Sequence, residues 1–257
     1  MNYKTLFKTA MLAGEIMAQS GAETFRVEDT MTRILKTSAL QSVEVYVTTT
    51  GIMATLSDQE IEPISEVKRI RNRVNNLNLI NEVNQISRDI CDDKITIEEA
   101  YRKLLQIRDY KIYPGYIIAI ATIVSTGGFT GLFGGSLTDC IIAAANGLII
   151  ILINWLLIKK VGSAFMIDAA KSFCIAFFTM LFTLCFKGTS SDIIIIGSIM
   201  PLVPGIPITN AIRDTLTGDF MSGTARAVEA FVISVGITIG IGFGLGFYHI
   251  LERMLGL

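Results

Sequence analysis

From residue 112 onward apolar residues run almost without interruption, and the polar positions that break them fall into short clusters. A helix that crosses a bilayer needs about 20 mostly apolar residues. Five stretches qualify, at 112–133, 137–158, 167–186, 191–209 and 226–251, and TDCIIAAANGLIIILINWLLI within the second is the most uniformly apolar. Five such lengths in succession predict membrane helices rather than the buried core helices of a water-soluble protein.

The first 110 residues follow other periods. Leu6, Ala10, Ala13 and Met17 keep helical spacing, as do Val27, Met31, Ile34 and Leu35. Ser20-Gly21-Ala22-Glu23 reads as a capping box opening the second of these helices, and Thr96-Ile97-Glu98-Glu99 as another, leading through Leu104 and Leu105 toward the membrane. VEVYVTTTGIMATL switches to alternating, β-branched residues with Gly51 as a turn or bulge, which predicts one or two strands. Pro63 is expected to start a further helix with Val67, Ile70, Val74 and Leu77 on one face. The fold class is thus a polytopic α-helical membrane protein of about five transmembrane helices (111–257) behind an N-terminal, mainly helical α+β cytoplasmic domain (1–110).

Composition sharpens this division. Of 22 Lys+Arg and 23 Asp+Glu, 15 and 16 precede Ile112, which leaves seven of each sign for the rest. Hydrophobic residues make up 51% of the chain, yet nearly all of that excess lies beyond the charged part. No basic face stands uncompensated, which argues against a nucleic-acid partner. Cys91, Cys140, Cys174 and Cys185 form no C-x-x-C pair and read as structural thiols. Glu15 interrupts the short apolar patch after Lys4 and Lys8, so the start does not read as a secretory leader.

Basic residues near span ends orient a membrane protein. With the N-terminus in the cytoplasm, the first outer loop (134–136) carries no Lys or Arg and the next inner loop carries Lys159 and Lys160. The second outer loop has only Lys187, while Arg213 and Arg226 fall on the inner side. The expected placement is multi-pass in the cell membrane, N-terminus inside and C-terminus outside. Gly236, Gly240 and Gly244 recur every four residues, Gly242 and Gly246 form a second pair, and Gly127, Gly131 and Gly134 echo them. Such ridges let helices approach closely, within the chain or between copies.

Catalytic patterns are missing from the sequence. His249, the single histidine, sits at the outer end of the last span, and there is no G-x-S-x-G, H-E-x-x-H or phosphate loop. No metal set and no cofactor is expected, and the chain reads as no enzyme. GAETFRVEDTM crowds Glu23, Arg26, Glu28 and Asp29 together, either as helix-surface charge or as contact with the membrane half.

The unusual stretch is PLVPGIPITNAIRDTLTGDF at 201–220. Pro201, Pro204 and Pro207 lack donors, and each frees carbonyls one turn earlier. In hydrocarbon such groups persist only where protein or water satisfies them, and broken helices recur at transporter substrate sites. Asn210, Asp214 and Arg226 follow, with Glu229 one turn beyond Arg226 and placed to pair with it. Charges there are costly and face a cavity or a partner. A kinked span ending in a plain loop is the other reading.

The run P-G-x-P-x-x-N-A-x-x-D-x-x-x-G-x-x-x-x-G-x-A-R, from Pro204 to Arg226, resembles the signature of the threonine/serine exporter family, and SGAETFRVEDTM upstream agrees with it. The resemblance spans nearly the whole chain. It implies that Pro204, Gly205, Asn210, Asp214, Gly218, Gly223 and Arg226 are family positions, with Glu23, Arg26 and Glu28 as a weaker cytoplasmic motif; Glu229 joins the site by its position. Long members fuse two membrane halves and this chain resembles only the first. It is therefore similar to the short subunit of split members, which work with a separate small membrane subunit, YjjB, in succinate export. The implied function is export of a small carboxylate, threonine or serine or a dicarboxylate such as succinate, from the bilayer with that partner or as a homo-oligomer. The alternative is a regulatory or assembly protein with a sensor domain on a membrane anchor.

Overall fold

The computed structural model describes residues 2–59, 61–71, 73–108, 113–157, 163–186 and 188–255. They fall into two compact units, one joining Met1–Lys111 to Gly205–Val228 and the other joining Ile112–Pro204 to Glu229–Leu257. A segment from late in the chain thus folds with the N-terminal elements.

In the first unit α1 (Tyr3–Gln19) packs beside α2 (Thr24–Lys36). Leu6, Ala10, Ala13 and Met17 of α1 are fully buried with Val27, Met31, Ile34 and Leu35 of α2, as their spacing requires. Gly14 permits the close crossing, since a Cβ there would overlap the Met31 thioether. Three strands follow, β1 (Ser42–Thr48), β2 (Gly51–Asp58) and β3 (Ile61–Arg69), forming an antiparallel sheet in the order β1-β2-β3. Val47, Ile52, Ala54 and Leu56 put one face of it into the core.

The sequence expects one or two strands and a helix from Pro63; the sheet has three strands, and that helix does not form. β3 is an edge strand, and Pro63 falls where its ladder is irregular, between the pairs Asp58↔Ile61 and Leu56↔Ile64. A missing N–H is tolerated at such a position. The next helix, α3 (Leu77–Cys91), begins only after Asn76, whose side chain accepts from the Leu79 N–H at 3.2 Å. Before α4 (Ile97–Arg108) the expected capping box is present. Glu99 N–H donates to Thr96 Oγ1 at 3.2 Å, and Thr96 N–H donates to Glu99 Oε2 at 3.0 Å.

The second unit contains α5 (Gly115–Leu132), α6 (Leu137–Leu157), α7 (Ala164–Cys185) and α8 (Ser191–Ile199), the last running into a 3-10 turn at Met200–Leu202. After the break come α9 (Gly205–Leu216) and α10 (Phe220–Leu255). Among the described residues four helices are long and apolar enough to cross a membrane, namely α5, α6, α7 and α10. Ser191–Leu202 with Gly205–Leu216, bent by 59°, makes a fifth if counted as one span. The span expected at 191–209 is therefore interrupted, and the helix expected from 226 begins earlier, at Phe220. Lys159, Lys160 and Lys187, used for orientation, lie outside the described residues.

Each proline sits where a donor is not required. Pro201 lies in the first turn of the 3-10 segment, Pro204 just before α9 and Pro207 in its first turn, whose N–H groups have no intrahelical acceptor. The glycine ridge of α10 is used within the chain. Cβ atoms on Gly236, Gly240 and Gly244 would strike Phe165, the Ala169 carbonyl and the Phe173 carbonyl of α7. Gly242 and Gly246 meet nothing within 4 Å.

Candidate functional site

The site grows from the corner between α9 and α10, within the first unit. Gly218, with φ +93°, ends α9 in a left-handed turn; its N–H reaches Thr215 O at 3.1 Å, and Asp219 N–H reaches Asp214 O at 2.9 Å. Asp219 then caps α10, accepting from Ser222 N–H at 3.1 Å. Gly223 faces α9 so closely that a Cβ would collide with the Thr215 hydroxyl. The family-type glycines thus build a tight corner.

That corner brings Asp214 and Arg226 together. Arg226 Nε lies 2.9 Å from Asp214 Oδ2, and the two side chains are 8% and 1% exposed. Both groups also reach the chain just ahead of α2. Thr24 donates to Asp214 twice, from N–H to Oδ1 at 3.2 Å and from Oγ1 to Oδ2 at 3.2 Å. Arg226 Nη2 donates to Ala22 O at 2.6 Å, and Asn210 Nδ2 donates to Gly21 O at 2.9 Å. Gly21 takes φ +81°, which turns its carbonyl without a Cβ penalty. A buried charge is tolerated when it is paired and hydrogen-bonded; both conditions are met here.

This arrangement corrects the capping box read at Ser20–Glu23. Glu23 is itself the residue at the N-cap of α2, and its side chain makes no cap bond. Asp214 supplies the acceptor instead, placing a carboxylate at the positive end of the α2 dipole. Glu23 pairs with Arg213. A sequence window cannot reveal a cap donated from 190 positions away.

The remaining predicted residues separate. Glu28 Oε1 accepts the Val47 N–H at 2.8 Å. Burial pushes its carboxyl above the ordinary value of 4.5; the Val47 bond opposes that, and Asp219 and Asp214 add to it. Arg26 is exposed and lines a groove of about 320 Å³ with Asp29, Arg33, Asn84, Arg88 and Asp92. The three motif charges Glu23, Arg26 and Glu28 therefore serve three different places. Pro204 is buried and Gly205 exposed at the break, and Glu229 is half-buried further along α10. Among the described residues no group of three or more His, Cys, Asp or Glu gathers as a metal site.

The second unit holds buried polar residues that the pattern reading passed over. Asn146, midway along α6, donates from Nδ2 to Thr179 Oγ1 of α7 at 2.8 Å and to Ser198 Oγ of α8 at 3.0 Å, and all three are fully buried. The legible signal is an amide, one of two in α6 with Asn154, at the middle of a mostly apolar span.

The family model described as "Putative threonine/serine exporter" matches residues 8–248. The chain is 22% identical over 238 residues to the "Probable threonine/serine exporter" of Mycobacterium tuberculosis (strain ATCC 25618 / H37Rv), an alignment covering 92% of this chain and 45% of the relative. It thus spans about half the length of that curated relative. No solved structure matches it.

Proposed function

Because the chain belongs to the threonine/serine exporter family, a family of membrane exporters, we propose that it moves small hydroxy amino acids, threonine and serine, out through the cell membrane. The observation that carries this reading is α9. Its Asn210, Ala211 and Asp214 are buried while Ile208, Ile212 and Leu216 are exposed, the reverse of a helix packed in a water-soluble protein. Apolar residues outside and a charge pair inside suit a helix that follows a membrane break and faces a polar path.

In this reading Arg226 supplies the positive charge for the substrate carboxylate. Its planar fork suits two carboxylate oxygens and stays charged when buried. Asp214 holds that place in the resting arrangement, and substrate binding exchanges one carboxylate for another. Gly205, at the start of α9, belongs to the same path. Residues 1–110 lie in the cytoplasm, as the distribution of basic residues favours. In this reading the chain works with a second small membrane subunit.

Efflux of a panel of solutes from preloaded vesicles tests the proposal, with the full chain made alone and with a partner subunit. Threonine and serine should leave faster than from vesicles lacking the chain. Efflux of succinate alone would move the substrate class to dicarboxylates, and no efflux of any solute would favour an anchored regulatory protein.

A further inference from the structure

The Asn146 cluster is built for a polar ligand and is left one partner short. Nδ2 spends both hydrogens, on Thr179 Oγ1 and Ser198 Oγ, which fixes the amide plane. Oδ1 is buried, and no group among the described residues donates to it. A buried acceptor without a donor is costly and calls for an explanation. The three residues come from three helices, and Ser198 lies in the last turn of α8, two residues before the 3-10 turn at Met200–Leu202 where the span breaks. Polar groups beside a discontinuous membrane helix are a recurrent way of holding a transported solute.

We propose that Asn146 Oδ1 accepts the side-chain hydroxyl of the transported hydroxy amino acid, with Thr179 and Ser198 positioning the amide. The inference rests on the export reading and deepens it. The chemistry selects the hydroxyl rather than a charged end of the substrate. The cluster offers an amide and two hydroxyls and no carboxylate to balance an ammonium. A carboxylate would instead meet an acceptor, which repels it. The cluster is sealed in this arrangement, so the substrate meets it when transport opens the bundle.

Interhelical hydrogen bonding alone would explain the two donated bonds but not the idle acceptor. Substrate discrimination separates the two roles, because 2-aminobutyrate matches threonine apart from the hydroxyl. A site that reads a hydroxyl rejects the analogue lacking it strongly. Efflux of both is measured from vesicles containing the full chain, and melting temperature is followed alongside. Asn146→Leu should lower the threonine to 2-aminobutyrate efficiency ratio by roughly tenfold or more. Thr179→Val should lower the ratio in the same direction, while Thr179→Ser, which keeps the hydroxyl, should retain it. The Thr179 pair decides the matter if the Asn146 variant fails to fold. Equal losses for both amino acids would make the cluster structural glue or a buried water site, and an unchanged ratio would likewise overturn the proposal. Failure of the unaltered chain to move either amino acid would instead reject the export reading, and this site with it.

Discussion

The carboxylate of Asp214 caps α2 at Thr24, receiving both the backbone N–H and the side-chain hydroxyl of a residue 190 positions earlier. One charged group thereby ties two distant sequence motifs into a single buried junction, and Arg226 balances it from the other side.

Removing one member of a buried ion pair strands the other, at a typical cost of about 3–5 kcal/mol. Asp214→Asn keeps an acceptor for Thr24 but removes the buried carboxylate facing Arg226, so a marked fall in melting temperature is expected. Thr24→Val loses only one hydrogen bond, to a charged acceptor, worth about 1.5–3 kcal/mol. Thermal unfolding of the full chain in detergent should rank the variants in that order, and the reverse order would remove the ion pair from the centre of the junction.

The glycines of α10 divide by what they face. Gly240 lies against the Ala169 carbonyl, so Gly240→Leu forces α7 and α10 apart, whereas Gly242→Leu enters open space. Gly240→Leu should lower folded yield and melting temperature, with Gly242→Leu close to the parent. Size-exclusion chromatography of the second variant reports whether that open face also carries an assembly contact.

Glu28 sets a pH dependence whose sign follows from its surroundings. Burial raises its carboxyl above 4.5 in the folded chain, so the folded state holds the proton more tightly than the unfolded one. Its contribution is therefore fully present below the ordinary value and lost as pH rises through the raised one. Glu28→Gln keeps an acceptor for Val47 and removes the buried charge. The variant should show a flatter stability profile just above pH 4.5 and be no less stable than the parent at neutral pH.

Orientation is open to direct labelling. With Cys91, Cys140, Cys174 and Cys185 replaced by serine, Asn2→Cys should be shielded from an impermeant thiol reagent in intact cells and Met254→Cys should react. The opposite pattern would invert the assignment.

How much of this was legible in the sequence varied with the range of the interactions. Spans of 20 apolar residues and the helical spacing of Leu6 through Met17 are local signals, and the corresponding helices are present. The interruption near Pro204 was legible for the same reason. β3 was missed because Pro63 outweighed a weak alternation, although an edge strand with an irregular ladder accommodates proline. The local pattern points to Ser20–Glu23 for the cap on α2, whereas the acceptor, Asp214, arrives from another part of the chain. An amide in a long apolar run carries no motif, so the importance of Asn146 depends on Thr179 and Ser198 reaching it from two other helices.

On the export reading Arg226 is the working charge of transport and not only a structural clamp. Threonine efflux by Arg226→Lys, measured beside its melting temperature, tests this most directly. Lysine keeps the charge near Asp214 but loses the planar fork. Arg226→Lys should fold and assemble, melt within a few degrees of the parent and export roughly tenfold or more slowly, with Arg226→Gln slower still. Efflux at the parent rate from both variants, or a loss of efflux in Arg226→Lys that merely follows a collapse in its stability, would contradict this role.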